Sequence, residues 1–193
     1  MAKIGIKCLT YAPYTSGGDG SAIVYGTGVM LNDYMIRADV GEERVDVDFY
    51  ADDHKIDTEN SMTGVTLGLE LANMTEALEK DMLGYVAEST SAGADLMITD
   101  ASAPFVGCGF YRKERFKGAV SYKCYWVYKV QFNRESDSTN TKGENLEFQT
   151  ESVNGDAVGV QLTASGPVVY YVTNRQSTEA GAIAWLKTKA GIT

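Results

Sequence analysis

The sequence predicts one domain of the α+β class, mainly β, with two short helices. Three observations predict it. Residues 119–132 alternate in hydropathy over a dozen positions and are rich in β-formers. Shorter alternating runs recur through the first 71 residues. Only two segments, 74–83 and 178–189, carry the i, i+4 apolar spacing and the caps of helices.

The strongest strand is 119–132. Val120, Tyr122, Cys124, Trp126, Tyr128, Val130 and Phe132 fall on one face, which is expected to lie on a core. Ser121, Lys123, Tyr125, Val127, Lys129 and Gln131 fall on the other. Fully extended, it would span about 45 Å, so it must bend around a sandwich or barrel or pass the domain edge. Its expected partner is 145–150, reached by a polar loop over 134–144. Segments 105–112 and 167–172 read as further strands.

In the N-terminal half, 4–9 alternates weakly. Residues 44–50 alternate well, with Val45, Val47 and Phe49 opposed by Asp46, Asp48 and Tyr50. In 65–71, Val65, Leu67, Leu69 and Leu71 share a face. The first helix has Asn73 as its expected cap, Met74, Leu78 and Met82 as its apolar stripe, and Gly84 as its stop. The second has Ser177 as its expected cap, Ile183, Trp185 and Leu186 on its apolar side, and Lys187 and Lys189 in its last turn.

The 193 residues suffice for one sizeable core, and 44% hydrophobic content with 3 prolines is globular composition. No run of about 18 apolar residues suggests a membrane span. The opening segment lacks the apolar stretch of a secretory signal, so synthesis and folding in a cytoplasm are expected. Cys8, Cys108 and Cys124 are widely spaced and odd in number, which reads as buried thiols rather than a disulfide framework. A net charge of −9 argues against a protein that grips phosphates.

Catalytic patterns are sparse. His54, in Ala51-Asp52-Asp53-His54-Lys55, is the single histidine and cannot make a two-histidine metal site. No nucleophile elbow or phosphate loop is present. Gly26-Thr27-Gly28 begins like a dinucleotide fingerprint, but Leu31 stands where its third glycine belongs. Asp46, Asp48, Asp52, Asp53 and Asp57 do not match a calcium loop and read as a solvated acidic strand edge. Tyr122, Tyr125, Trp126 and Tyr128 read as core and interface before they read as a stacking platform for sugars or bases. No enzyme activity and no cofactor are expected.

Several segments, in order, resemble one family. Ile4-Gly5-Ile6-Lys7 with Leu9-Thr10-Tyr11-Ala12, then Tyr25-Gly26-Thr27-Gly28, then Phe49-Tyr50-Ala51-Asp52-Asp53 are similar to segments of the major tail tube proteins of long-tailed, siphovirus-type bacteriophages and prophages. So are Met82-Leu83-Gly84-Tyr85, Tyr125-Trp126-Val127-Tyr128-Lys129-Val130 and the run 141–150. The resemblance covers roughly residues 3–188 and is poorest over 152–175.

The resemblance implies a tail-tube-type β-sandwich or barrel flanked by a short α-helix, with a second, C-terminal helix. It implies a virion protein that self-assembles into homohexameric rings stacked head to tail, around a channel that DNA transits without specific binding. Its partners would be itself, the tape measure protein, the tail tip or baseplate and the tail terminator. Arms reaching a neighbouring subunit are expected at 1–20, 52–63 and 134–143. Asp52, Asp53, His54, Tyr125 and Tyr128 are the expected contacts between subunits or rings. Asp46 and Asp48 are expected to face the channel, where negative charge repels phosphate. Alternatives are the inner tube of a contractile tail or phage-derived bacteriocin, which uses the same fold, and a β-sandwich carbohydrate-binding module.

Overall fold

The computed structural model describes residues 2–51, 53–88, 95–134 and 150–192. In chain order its elements are β1 (Ala2–Ser16), β2 (Val24–Tyr25), β3 (Val29–Leu31), β4 (Met35–Ala51), β5 (His54–Leu71) and α1 (Glu76–Leu78). A π-helical turn, Glu79–Leu83, extends α1. Then come β6 (Val86–Glu88), β7 (Asp95–Met97), β8 (Phe105–Phe116), β9 (Ala119–Asn133), β10 (Glu151–Ala157), β11 (Val160–Gln161), β12 (Val168–Val169), β13 (Tyr171–Gln176) and α2 (Glu179–Ala190).

The fold is mainly β. One large antiparallel sheet runs in the order β2-β1-β8-β9-β10-β5-β4, with β3 also on β1 and β13 also on β9. β9 is its spine. One edge pairs with β8; the other is shared by β13, on residues 122–127, and β10, on residues 130–133. A central strand buried on both faces explains why Tyr125 and Val127 are buried along with Trp126.

Two cores result. The first collects Leu9, Leu67, Leu71, Phe110, Val127, Val130 and Phe132, with Leu78 and Met82 from the helical turns. Residues from β1, β8, β9, β10 and β5 meet there, so the sheet curls around it. β1 and β4 come together without joining; a cleft of about 870 Å³, lined by Lys3, Gly5 and residues 36–41, lies along this seam. The second core lies on the outer face under α2, where Trp126, Cys124 and Tyr111 meet Ala182, Leu186 and Ala190.

β9 departs from a single apolar face. Val106 pairs with Val130, but Cys108 pairs with Val127, so one extra residue is inserted at Tyr128–Lys129. A bulge reverses which side successive residues face. Cys124, Trp126 and Tyr128 therefore belong to the outer core, whereas Val130 and Phe132 belong to the inner one. Gly107 and Gly109 make room for the indole: a Cβ at Gly109 would lie 2.5 Å from Trp126 Cε3 and 2.6 Å from the Tyr125 carbonyl oxygen.

Several expected boundaries shift. Within the segment 1–20, where an inter-subunit arm is expected, residues 2–16 form a sheet strand paired along β8, longer than the expected strand 4–9. Of the expected strand 145–150 only Thr150 is described, and it lies outside any strand; among the described residues that follow it, β10 and β13 pair with β9. Segment 167–172 divides at Tyr170 into β12 and the start of β13. Thr75, not Asn73, caps the first helix, its Oγ1 accepting from Leu78 N, and the helix widens to a π turn before Gly84 stops it at φ +75°. Thr178, not Ser177, caps α2, accepting from Gly181 N at 3.1 Å. The buried stripe of α2 is Ala182, Leu186 and Ala190; Ile183 and Trp185 are only half-buried. Small residues at two of those three positions let the helix sit close on the sheet. All three cysteines are buried and free, as expected. Among the described residues no helix is long and apolar enough to cross a membrane.

Candidate interaction surface

β4 and β5 pair from Met35↔Leu71 to Ala51↔His54. β10 supports only residues 65–71 of β5. Beyond that point the two strands continue alone as a ribbon, about 35 Å long at ~3.3 Å per residue. Residues 42–50 and 54–61 are exposed throughout, so neither face of the ribbon rests on the body.

Its two faces differ. On one, Asp46 lies opposite Asn60 and Asp48 opposite Thr58. Asn60 Nδ2 donates to Asp46, and Thr58 Oγ1 donates to Asp48 at 3.0 Å. Lys55 Nζ lies 2.6 Å from the Asp48 carboxylate, and Arg44 reaches Asn60 at 2.8 Å and Glu42 at 3.0 Å. The Lys55 and Thr58 hydrogen bonds hold the Asp48 carboxyl below the ordinary aspartate range. This polar ladder keeps the ribbon extended in water, where an isolated hairpin is marginal.

On the other face Val45, Val47 and Phe49 form a row, facing Ser61, Glu59 and Asp57 across the ribbon. Phe49 is 63% exposed, and Tyr50 and Ile56 near the tip are similarly open. This apolar row is rimmed by carboxylates and lies on an element with no core of its own.

The root of the ribbon is anchored. Tyr171 of β13 donates to Glu42 at 2.6 Å, and the Tyr170 hydroxyl donates to the Thr63 carbonyl at 3.2 Å. The Tyr171 and Arg44 hydrogen bonds lower the Glu42 carboxyl. The same bond, with partial burial, pushes the Tyr171 phenol up to about 12.

The expected site residues separate into three groups. Asp46, Asp48, Asp53 and His54 lie exposed on the ribbon, with Asp53 in its turn at φ +61°. Asp52 and residues 135–143 of an expected arm lie outside the described residues. The arm expected at 52–63 is, from His54 onward, the second strand of the ribbon.

Tyr125 and Tyr128, expected at a contact between subunits or rings, are only 7% and 8% exposed within the single chain. Tyr125 stacks on Phe110 at 5.1 Å between ring centroids, and Tyr128 packs in the outer core. With Trp126 fully buried, the four aromatics form no open stacking platform.

Val45, Val47 and Phe49 were legible as a strand face but not as an exposed one. The signal was in the partner strand: of residues 54–61 only Ile56 is a large aliphatic residue, so nothing opposite could complete a core. Glu114, 3% exposed between Arg112 and Arg175, carried no sequence signal.

Comparison with protein-family models gives no match, and a search of curated proteins gives none either.

Proposed function

We propose that this chain is a structural virion protein, the major tail tube subunit of a long-tailed bacteriophage. In this reading it has no enzymatic role. Copies join into homohexameric rings, and rings stack into the channel through which DNA leaves. Tail proteins such as the tape measure, tip and terminator bound the tube.

The observation that carries the reading is the exposed ribbon. A monomer gains nothing from a two-stranded projection that displays Val45, Val47 and Phe49 to water. A subunit that must be covered by its neighbours gains a specific contact. The curled sheet supplies a rigid body to which that contact is fixed, and the sequence resemblance to tail tube proteins supplies the kind of assembly.

Charge agrees with transit rather than capture of DNA. Six copies at −9 would place about −54 on each ring, and a lumen of that sign repels phosphate. Asp46 and Asp48, displayed together on one ribbon face, are the residues we assign to that lumen.

Immunogold labelling of tailed particles with an antibody to this chain tests the reading. Label along the whole length of the tail shaft is expected. Label confined to heads or fibres, or absent from particles, overturns it.

A further inference from the structure

The charge of this chain is divided between two projecting ends. Residues 42–59, the ribbon, hold eight carboxylates against Arg44 and Lys55. Residues 112–123, around the β8–β9 turn, hold five cations against Glu114 alone, and the start of β1 adds Lys3 and Lys7. β1 belongs to the same end, since Ala2 pairs with Arg115 and Gly5 with Lys113. The balance is −6 on the ribbon and +6 on the β1/β8–β9 end.

Each end also exposes apolar side chains within its charge. The ribbon shows Val45, Val47 and Phe49; the basic end shows Ile4, Phe116 and Val120, with Phe116 51% exposed. The ribbon's ion pairs, Arg44–Glu42 and Lys55–Asp48, are internal to it, and its surface is open along both faces. Within one chain the acidic end is therefore not covered by the basic one.

We infer that the ribbon of one copy docks on the basic β1/β8–β9 end of another copy, its apolar row against Val120, and Asp57 and Glu59, which share the face of that row, among Lys113 and Arg115, which share the face of Val120. The inference rests on the tube reading and names the surfaces that join. Two different patches meet, so the contact is head-to-tail and propagates, as a ring or filament requires. Opposite charge selects the pairing and disfavours ribbon on ribbon. Because these charges are exposed, added salt screens them; the Debye length falls from about 10 Å at 0.1 M to about 3 Å at 1 M.

The test uses the full chain. Sedimentation velocity compares wild type with Asp57→Lys/Glu59→Lys on the ribbon and Lys113→Glu/Arg115→Glu on the basic end. Each pair alone is expected to weaken self-association at least tenfold. The four changes combined in one chain, or the two variants mixed, are expected to restore it. Unchanged association of either variant, or no restoration, overturns the inference.

A second arm needs no variant. Isotope-labelled and unlabelled wild-type copies are assembled together and joined with a zero-length carboxylate–amine cross-linker. Peptides linking Asp57 or Glu59 of one copy to Lys113 of another are expected. Assemblies cross-linked only elsewhere overturn the docking yet leave the tube reading standing. A chain that stays monomeric in every condition removes both.

Discussion

Tyr171 and Glu42 are joined by a 2.6 Å hydrogen bond at the point where the ribbon leaves the body of the protein. Above that bond β5 is flanked by β10; below it β5 has only β4. The pair therefore fixes the direction in which an otherwise unsupported element points. Tyr171→Phe is expected to leave the melting temperature nearly unchanged and to speed amide exchange in residues 42–46 and 60–64. Exchange measured by mass spectrometry checks this; unchanged protection there would remove Tyr171 from the anchor.

The same bond gives a pH dependence local to the ribbon root. Glu42 is held below its ordinary value in the folded chain by Tyr171 and Arg44. The stabilisation is thus present above the unfolded glutamate value, and it is lost as pH falls through the depressed folded value. Exchange at the ribbon root, corrected for intrinsic rate, is expected to rise as pH falls through the range below ordinary glutamate. In Tyr171→Phe that rise is expected to be smaller.

Glu114 predicts a stability effect of larger size. Burial pulls its carboxyl upward, but the Arg112 hydrogen bond and the charges of Arg112, Arg175 and Lys123 overcome it, and the net shift is downward. Arg112 Nε lies 2.8 Å from one oxygen and Arg175 Nη2 3.0 Å from the other. Glu114→Gln is expected to cost about 2 kcal/mol near neutral pH, the scale of hydrogen bonds to charged groups. The depressed folded value means that the wild-type advantage is full above the ordinary glutamate range and shrinks as pH falls below it. Denaturant melts of both proteins across acidic pH check the convergence.

Gly109→Ala is expected to destabilise the chain by roughly 1–3 kcal/mol, the usual scale of overpacking. The added methyl would meet the Trp126 ring at 2.5 Å and the Tyr125 carbonyl at 2.6 Å, and neither is the free end of a flexible side chain. A thermal melt followed by tryptophan fluorescence measures the shift; an unchanged midpoint would show that the outer core has slack.

Val47→Ser with Phe49→Ser separates folding from assembly. Both side chains are exposed, so the unfolding free energy is expected to stay within about 0.5 kcal/mol of wild type. Self-association is expected to be lost. A variant that assembles normally would show that the apolar row is not covered.

How far the sequence reached depends on the physics at each position. Alternation over 119–132 marked β9 because sustained period 2 leaves few other options. The switch of Val130 and Phe132 to the inner core was hidden, because a bulge at Tyr128–Lys129 leaves the pattern of residue types intact. Tyr125 and Tyr128 suggested contact surface because tyrosine serves cores and interfaces alike; burial followed from β13 and α2 closing over β9, a long-range event. The acidic ribbon was readable as a polar arm, but its strand pairing depended on the register of Asp46 with Asn60 and Asp48 with Thr58. Caps missed by one or two residues, Asn73 for Thr75 and Ser177 for Thr178, reflect neighbouring side chains with equal capping chemistry.

Copies of this chain are proposed to close into rings around an open channel. Negative-stain electron microscopy of the purified chain, concentrated at low salt, addresses this proposal most directly. Rings with a stain-filled centre, and hollow tubes built from them at higher concentration, are the expected result. Single particles of monomer size at every concentration and salt would contradict it.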